Sequence, residues 1–251
     1  MVNIQKAAVI GCGFVGSTIA YTLMQKGLFS EMVLLDANKA KAEGEAMDIS
    51  HGLPFTHAMD IYAGEYEDIA DASVVIITAG ANQKPGETRL DLVQKNAAIM
   101  RSIIKEIKRV NCEGILLIVS NPVDILTEVA LRESGFPKER VIGSGTVLDT
   151  ARLKYIISEK LDVDSRNVHA FIVGEHGDSE LAAWSCANIY GIKLQDFAKM
   201  RGYEHFAQDM EEVYKGVRDS AYEIIERKGA TYYGIGMAAE KIVEAIVRNS
   251  H

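Results

Sequence analysis

The stretch "KAAVIGCGFVGSTIAYTLMQKG" constrains the fold more than any other part of the chain. An apolar run enters a loop carrying Gly11, Gly13 and Gly16, and the loop opens a helical pattern that stops at Gly27. G-x-G-x-x-G spacing alone is a weak signal. Strand, glycines and helix in that order supply the context that a dinucleotide-binding turn requires. The first glycine permits the tight turn, the second lets the backbone approach a pyrophosphate, and the third lets helix pack on strand. The pyrophosphate would sit at the positive end of the helix. Asp36 closes the next apolar run, "EMVLLD", twenty residues beyond Gly16. A carboxylate there accepts from a ribose 2′-hydroxyl and repels a 2′-phosphate, which favours NAD over NADP.

The first half of the chain continues the alternation. "IYAGEY", "ASVVIITAG", "GILLIVS" and "RVIGSGT" read as strands, separated by amphipathic segments such as "LDLVQKNAAIMRSIIKEIKRV". Apolar strands alternating with helices predict a parallel sheet covered on both faces. After about residue 150 the pattern changes to a helix, a hairpin-like stretch and two long helices. The expected fold is therefore α/β: a Rossmann-type doubly wound parallel sheet over residues 1–148, then a mixed α+β substrate domain over 149–251.

Composition excludes other classes. With 48% hydrophobic and 25% charged residues, the chain has the profile of a soluble globular protein. The net charge is −8 and no basic stripe is present, so neither nucleic acid nor an anionic membrane is an expected partner. The longest apolar runs are strand-length, and the N-terminus enters a strand without a signal peptide. Cys12, Cys112 and Cys186 form no CxxC pair. They read as reduced thiols of a cytoplasmic protein, and no metal site is expected.

Four further features carry chemistry. "VGEHGD" sets His176 between two carboxylates, which by itself suits a proton shuttle, a metal ligand or a capped loop histidine. "LDTARL" places Asp149 and Arg152 three residues apart, on one face of a helix. They read either as a surface ion pair or as a histidine partner beside a carboxylate clamp, for which the planar guanidinium is suited. Arg89 lies where the polar loop "ANQKPGETRLDL" becomes helix; a cation there opposes the helix dipole and hints at an anionic or carbonyl partner. Asn121, in "SNP" beyond another strand, either binds a ligand or caps the next helix.

Together "GCGFVG", "TAGANQKPGETRLDLVQKN", "SNPVD", "GSGTVLDTARL", "GEHGDSE" and "RKGATYYG" resemble, in order and spacing, the NAD-dependent L-lactate dehydrogenases of the lactate/malate dehydrogenase family. The resemblance runs from Lys6 nearly to the last residue. It implies an oxidoreductase that moves a hydride reversibly between NADH and pyruvate, as in glycolysis and fermentation. It makes His176 the proton donor and acceptor, Asp149 its partner, Arg152 the substrate-carboxylate clamp and Arg89 the group that polarises the carbonyl. Asn121 and Thr231 line the substrate site, and Ile235 backs the nicotinamide. Gly11, Gly13, Val15, Gly16, Asp36, Gly80, Ala81 and Asn121 match cofactor-binding positions. Gln83 stands where malate enzymes carry arginine for a second carboxylate; a neutral residue suits pyruvate, with malate or another 2-hydroxy acid as the alternative.

Bacterial members of this family often bind fructose 1,6-bisphosphate between subunits. Lys154 and His169 stand at the matching places and form a candidate allosteric anion site. A homo-oligomer, by resemblance a homotetramer, is expected. Family members continue past the position of His251 with strands and a final helix. A chain ending there is expected to bind NADH, turn over pyruvate poorly and associate through exposed apolar surface. A non-catalytic NAD(H)-binding module is the corresponding alternative.

Overall fold

The first half of the chain lays down, in order, β1 (Asn3–Ile10), α1 (Phe14–Lys26), β2 (Glu31–Leu35), α2 (Lys39–Ser50), β3 (Asp60–Ala63), β4 (Ala72–Ile77), α3 (Arg89–Arg109), β5 (Ile115–Ile118), α4 (Val123–Ser134) and β6 (Val141–Gly143). The structure is a computed structural model that describes residues 1–81, 86 and 88–250. The six strands form one parallel sheet in the order β3-β2-β1-β4-β5-β6, as the alternating pattern predicts.

Side-chain alternation explains the layers. In β1, Ala7 and Val9 join one core while Ala8 and Ile10 join the other. The first core includes Ile19 and Leu23 of α1 and Ala42 and Ala46 of α2; the second includes Met100 and Ile104 of α3 and Leu126 of α4. Both sheet faces are apolar because helices cover both. The helix ends are chemically marked. Gly27 and Gly135 adopt left-handed conformations after α1 and α4. Asn38 accepts from the Lys41 N–H before α2, and Thr88 and Asp91 form a reciprocal capping box at the start of α3. The strand order reverses direction between β1 and β4, the place where ligands of such sheets bind beyond the strand C-termini.

The second half contains α5 (Val147–Leu161), β7 (Val168–His169), β8 (Ile172–Val173), β9 (Leu181–Ala182), β10 (Asn188–Ile189), β11 (Ile192–Lys193), α6 (Leu194–Met200), α7 (Phe206–Lys228) and α8 (Tyr233–Val247). The predicted hairpin is two small antiparallel ladders, β8 with β9 and β10 with both β7 and β11. Leu153, Ile157, Val168, Ile189, Val213 and Val217 fill the core beneath them.

By compactness the chain divides into residues 1–144 with 232–251, and residues 145–231. The sequence reading grouped 149–251 together. The terminal helix α8 instead clusters with the first unit, because its Ala239 and Val243 are buried in the core that holds Ile19 and Leu23. Close packing fixes that contact: a Cβ at Gly236 would lie 2.5 Å from the Thr18 side chain. Among the described residues no helix is long and apolar enough to cross a membrane.

Candidate active site and cofactor cradle

The glycine loop between β1 and α1 shows three different uses of glycine. Gly11 adopts φ +102°, and a Cβ there would lie 2.6 Å from the Ala79 backbone nitrogen. A Cβ at Gly16 would lie 1.8 Å from the Gly11 carbonyl oxygen, so the helix can sit this close only with glycine. At Gly13, which caps α1, a Cβ would meet nothing within 4 Å. Open space in front of a helix N-terminus suits an anionic ligand. Asp36 stands beside that space: one carboxylate oxygen accepts the Cys12 N–H at 2.7 Å and the other accepts the Asn38 N–H at 2.8 Å. Backbone cradle, helix dipole and fixed acid together fit a dinucleotide.

Other cofactor candidates surround the same strand ends. Val15 and Ile235 pack, partly buried, against the first core. Gly80 is exposed beyond β4. Ala81 donates its N–H to Asn96 Oδ1 at 2.8 Å, and Asn96 Nδ2 donates to the Asn121 carbonyl at 2.8 Å. Asn96, buried on α3, was not singled out from sequence, yet it ties the segments after β4 and β5 to one helix. Arg89 is the exposed first residue of that helix. Gln83 lies outside the described residues.

The second unit brings His176, Asp149 and Arg152 together. Asp149 sits in the first turn of α5 and is 2% exposed. One oxygen lies 2.6 Å from His176 Nδ1; the other accepts from Arg152 Nη1 at 3.0 Å. His176 comes from the loop joining β8 to β9, where Gly174 and Gly177 have φ +98° and +124°. That loop must be tight, since Ile172 and Val173 pair with Ala182 and Leu181. The ion pair forms but is not a surface pair, with the Arg152 and Asp149 side chains 14% and 3% exposed, and Asp149 also engages the histidine.

Each group shifts its neighbour. The hydrogen bond to Asp149 raises the His176 pKa, outweighing burial. Burial disfavours a charge on Asp149, but the hydrogen bond with His176 overcomes it and keeps the carboxyl below its usual range. A second carboxylic acid of this cluster was missed from sequence: Glu180, 3% exposed, whose carboxyl is pushed up to about 7 by burial and by the charge on Asp149. The glutamate was visible in "GEHGDSE", but its burial was not. Thr231 is half-buried at the end of this unit, Lys154 is half-buried on α5, and His169 is exposed on β7.

Two family models account for nearly the whole chain. Residues 5–143 match the lactate/malate dehydrogenase NAD binding domain and residues 146–251 match the lactate/malate dehydrogenase alpha/beta C-terminal domain. The chain belongs to the lactate/malate dehydrogenase family. Within that family it is 56% identical to an L-lactate dehydrogenase of Acetivibrio thermocellus, over 99% of this chain and 78% of the relative. It is 55% identical to an L-lactate dehydrogenase of Priestia megaterium, over 97% of this chain and 76% of that one. A solved lactate dehydrogenase from a Medee basin deep-sea metagenome library superposes with a TM-score of 0.96 at 53% identity, covering 100% of this chain and 79% of its own. The minor L-lactate dehydrogenase of Enterococcus mundtii, solved with ligands bound, gives 0.93 at 48% identity, covering 97% and 77%. As an NAD-binding member of the lactate/malate dehydrogenase family, the chain uses NAD as its cofactor.

Proposed function

We propose that the chain is an L-lactate dehydrogenase that interconverts pyruvate and L-lactate with NADH and NAD. The observation that carries this reading is the Asp149–His176 hydrogen bond at 2.6 Å with Arg152 on the same carboxylate, in a chain 56% identical to an L-lactate dehydrogenase. A nicotinamide cofactor held by this chain would supply or accept the hydride.

The residues divide the remaining work. Gly13 and the start of α1 hold the pyrophosphate, Asp36 holds the adenine-side ribose, and Val15, Gly80, Ala81 and Ile235 shape the rest of the cofactor site. The Arg152 guanidinium binds the substrate carboxylate through N–H groups that Asp149 does not occupy. Arg89 polarises the ketone, and Asn121 and Thr231 are the further substrate-binding residues. Asp149 occupies His176 Nδ1, so Nε2 is the ring nitrogen that protonates the forming alkoxide. A raised pKa keeps more of the imidazole protonated near neutrality, as ketone reduction needs. In the reverse direction neutral His176 takes the hydroxyl proton.

Neutral Gln83 favours pyruvate over oxaloacetate, which would bring a second carboxylate with no cation to meet it. Lys154 and His169 form the candidate anion site for fructose 1,6-bisphosphate, and a cytoplasmic homotetramer acting in glycolysis is the matching assembly. NADH absorbance with pyruvate, oxaloacetate and bulkier 2-oxo acids, each with and without the bisphosphate, tests the reading. Fastest turnover with pyruvate supports it. Preference for oxaloacetate transfers the chain to the malate branch, and NADH binding without any turnover leaves only a binding module.

A further inference from the structure

Glu180 has no part in the hydride or proton steps above, yet its carboxyl lies against the pair that performs one of them. Oxygens of Asp149 and Glu180 and a ring nitrogen of His176 all lie within 4.8 Å of one another. The Glu180 and Asp149 carboxyls are therefore near enough for the charge on one to bear on the other. The chain folds so as to bury this acid: Glu180 follows the tight loop and immediately precedes β9, and its own carbonyl accepts from the Tyr214 hydroxyl of α7.

We propose that Glu180 is a positioning residue that shares Asp149 with His176 and sets the pH at which the imidazole gives up its proton. This rests on the catalytic reading of His176 given above. Two adjacent buried carboxyls do not both ionise readily. Asp149 keeps its charge because His176 and Arg152 face it. Glu180 therefore holds its proton more tightly than Asp149 does. When Glu180 ionises, its charge adds to that of Asp149 and strengthens the hold of the imidazole on its own proton. The pair titrates as one coupled system. The charged and titratable groups around Glu180 are Asp149, Arg152 and His176, with Tyr214 on α7 and, beyond it, Arg218 and Glu211 acting on that phenol. The Glu180 N–H donates to the Gly177 carbonyl at 3.1 Å, which ties the acid to the His176 loop. Of the two carboxyls in the cluster, burial and the Asp149 charge push Glu180 up to about 7, while Asp149 is held below its usual range.

The test is Glu180→Gln, which keeps the shape but can never become negative. Two readouts are compared with the wild type: the alkaline limb of kcat/KM for pyruvate reduction, and the His176 ring titration followed by NMR in the NADH-free protein, its signal assigned by its loss in His176→Asn. Both are expected to move down by at least about 0.5 pH unit, with NADH affinity unchanged. Glu180→Asp, which restores an ionisable carboxyl, should recover part of the shift. A His176 titration that stays in place in folded Glu180→Gln, judged by retained NADH binding, overturns the proposal. If Glu180→Gln does not fold, the Glu180→Asp titration decides: an altered His176 pKa supports the coupling and an unaltered one overturns it. Because the NMR readout needs no turnover, a shifted titration in a protein inactive with every 2-oxo acid upholds the coupling and refutes the dehydrogenase reading instead.

Discussion

Asp149 orients His176 and is the largest influence holding its charge. Replacing it with asparagine should lower turnover about 10²–10⁴-fold, the range for a lost general acid, while NADH affinity stays within about twofold. Pre-steady-state turnover of bound NADH complexes checks this; unimpaired turnover would make the histidine structural. In the wild type, pyruvate reduction should decline as pH rises through the raised His176 pKa, and lactate oxidation should climb over the same range. The sign for stability is the same as for reduction. A histidine whose pKa is raised on folding contributes stability that is complete below its unfolded value and lost as pH rises through the folded one. Asp36 makes a second residue-scale prediction. Both its oxygens are fixed by backbone amides, so a 2′-phosphate would meet a carboxylate that cannot turn away. Catalytic efficiency with NADPH should be at least about tenfold below that with NADH, roughly 1.4 kcal/mol or more. Equal efficiencies would remove Asp36 from this role. His176, Asp149 and Arg152 were legible because loop and helix motifs carried them in short stretches. Glu180 and Asn96 were not, because a polar residue announces burial only through the elements that fold over it.

At the scale of elements, the turn from β1 into α1 separates packing from ligand space. Gly16→Ala forces a methyl into the Gly11 carbonyl and should lower both the melting temperature and NADH affinity. Gly13→Ala meets no protein atom, and its φ of −74° is open to alanine. It should melt like the wild type yet bind NADH at least about tenfold more weakly, because the methyl occupies the approach to the pyrophosphate. Thermal melts and NADH titrations of the two variants give the comparison, and normal NADH affinity in Gly13→Ala would mean the anion lies elsewhere. The strands of the sheet were readable from apolar runs between helical patterns. The run "IYAGEY" was read too long: β3 ends at Ala63, and Tyr66–Ile69 form a 3₁₀ turn. Its Glu65 and Asp68 hydrogen-bond locally to backbone and so favour that turn over a ladder.

Over the whole molecule, the place of α8 is the feature that local pattern could not supply. Its periodicity announces an amphipathic helix, but which core receives the apolar face depends on complementary surfaces far away in sequence. Gly236 admits Thr18, and Val243 reaches the core beneath α1. Val243→Ala should therefore destabilise the unit that binds NADH, by about 2 kcal/mol. Hydrogen exchange should show the loss in β1 and α1, with α5 and α7 unaffected; a loss confined to α5 and α7 would contradict the packing.

Because α8 lies in the same core as residues from the first forty, the cofactor-binding unit is built from both ends of the described chain. A ribosome making this protein releases β6 about a hundred residues before α8. At roughly 5–20 residues per second, that interval lasts roughly 5–20 s. Throughout it the nascent sheet has its strands and four of its helices, yet the apolar surface of α1 that will receive Ala239 and Val243 is still uncovered. Chaperones that scan emerging chains for such surface have that window in which to engage it.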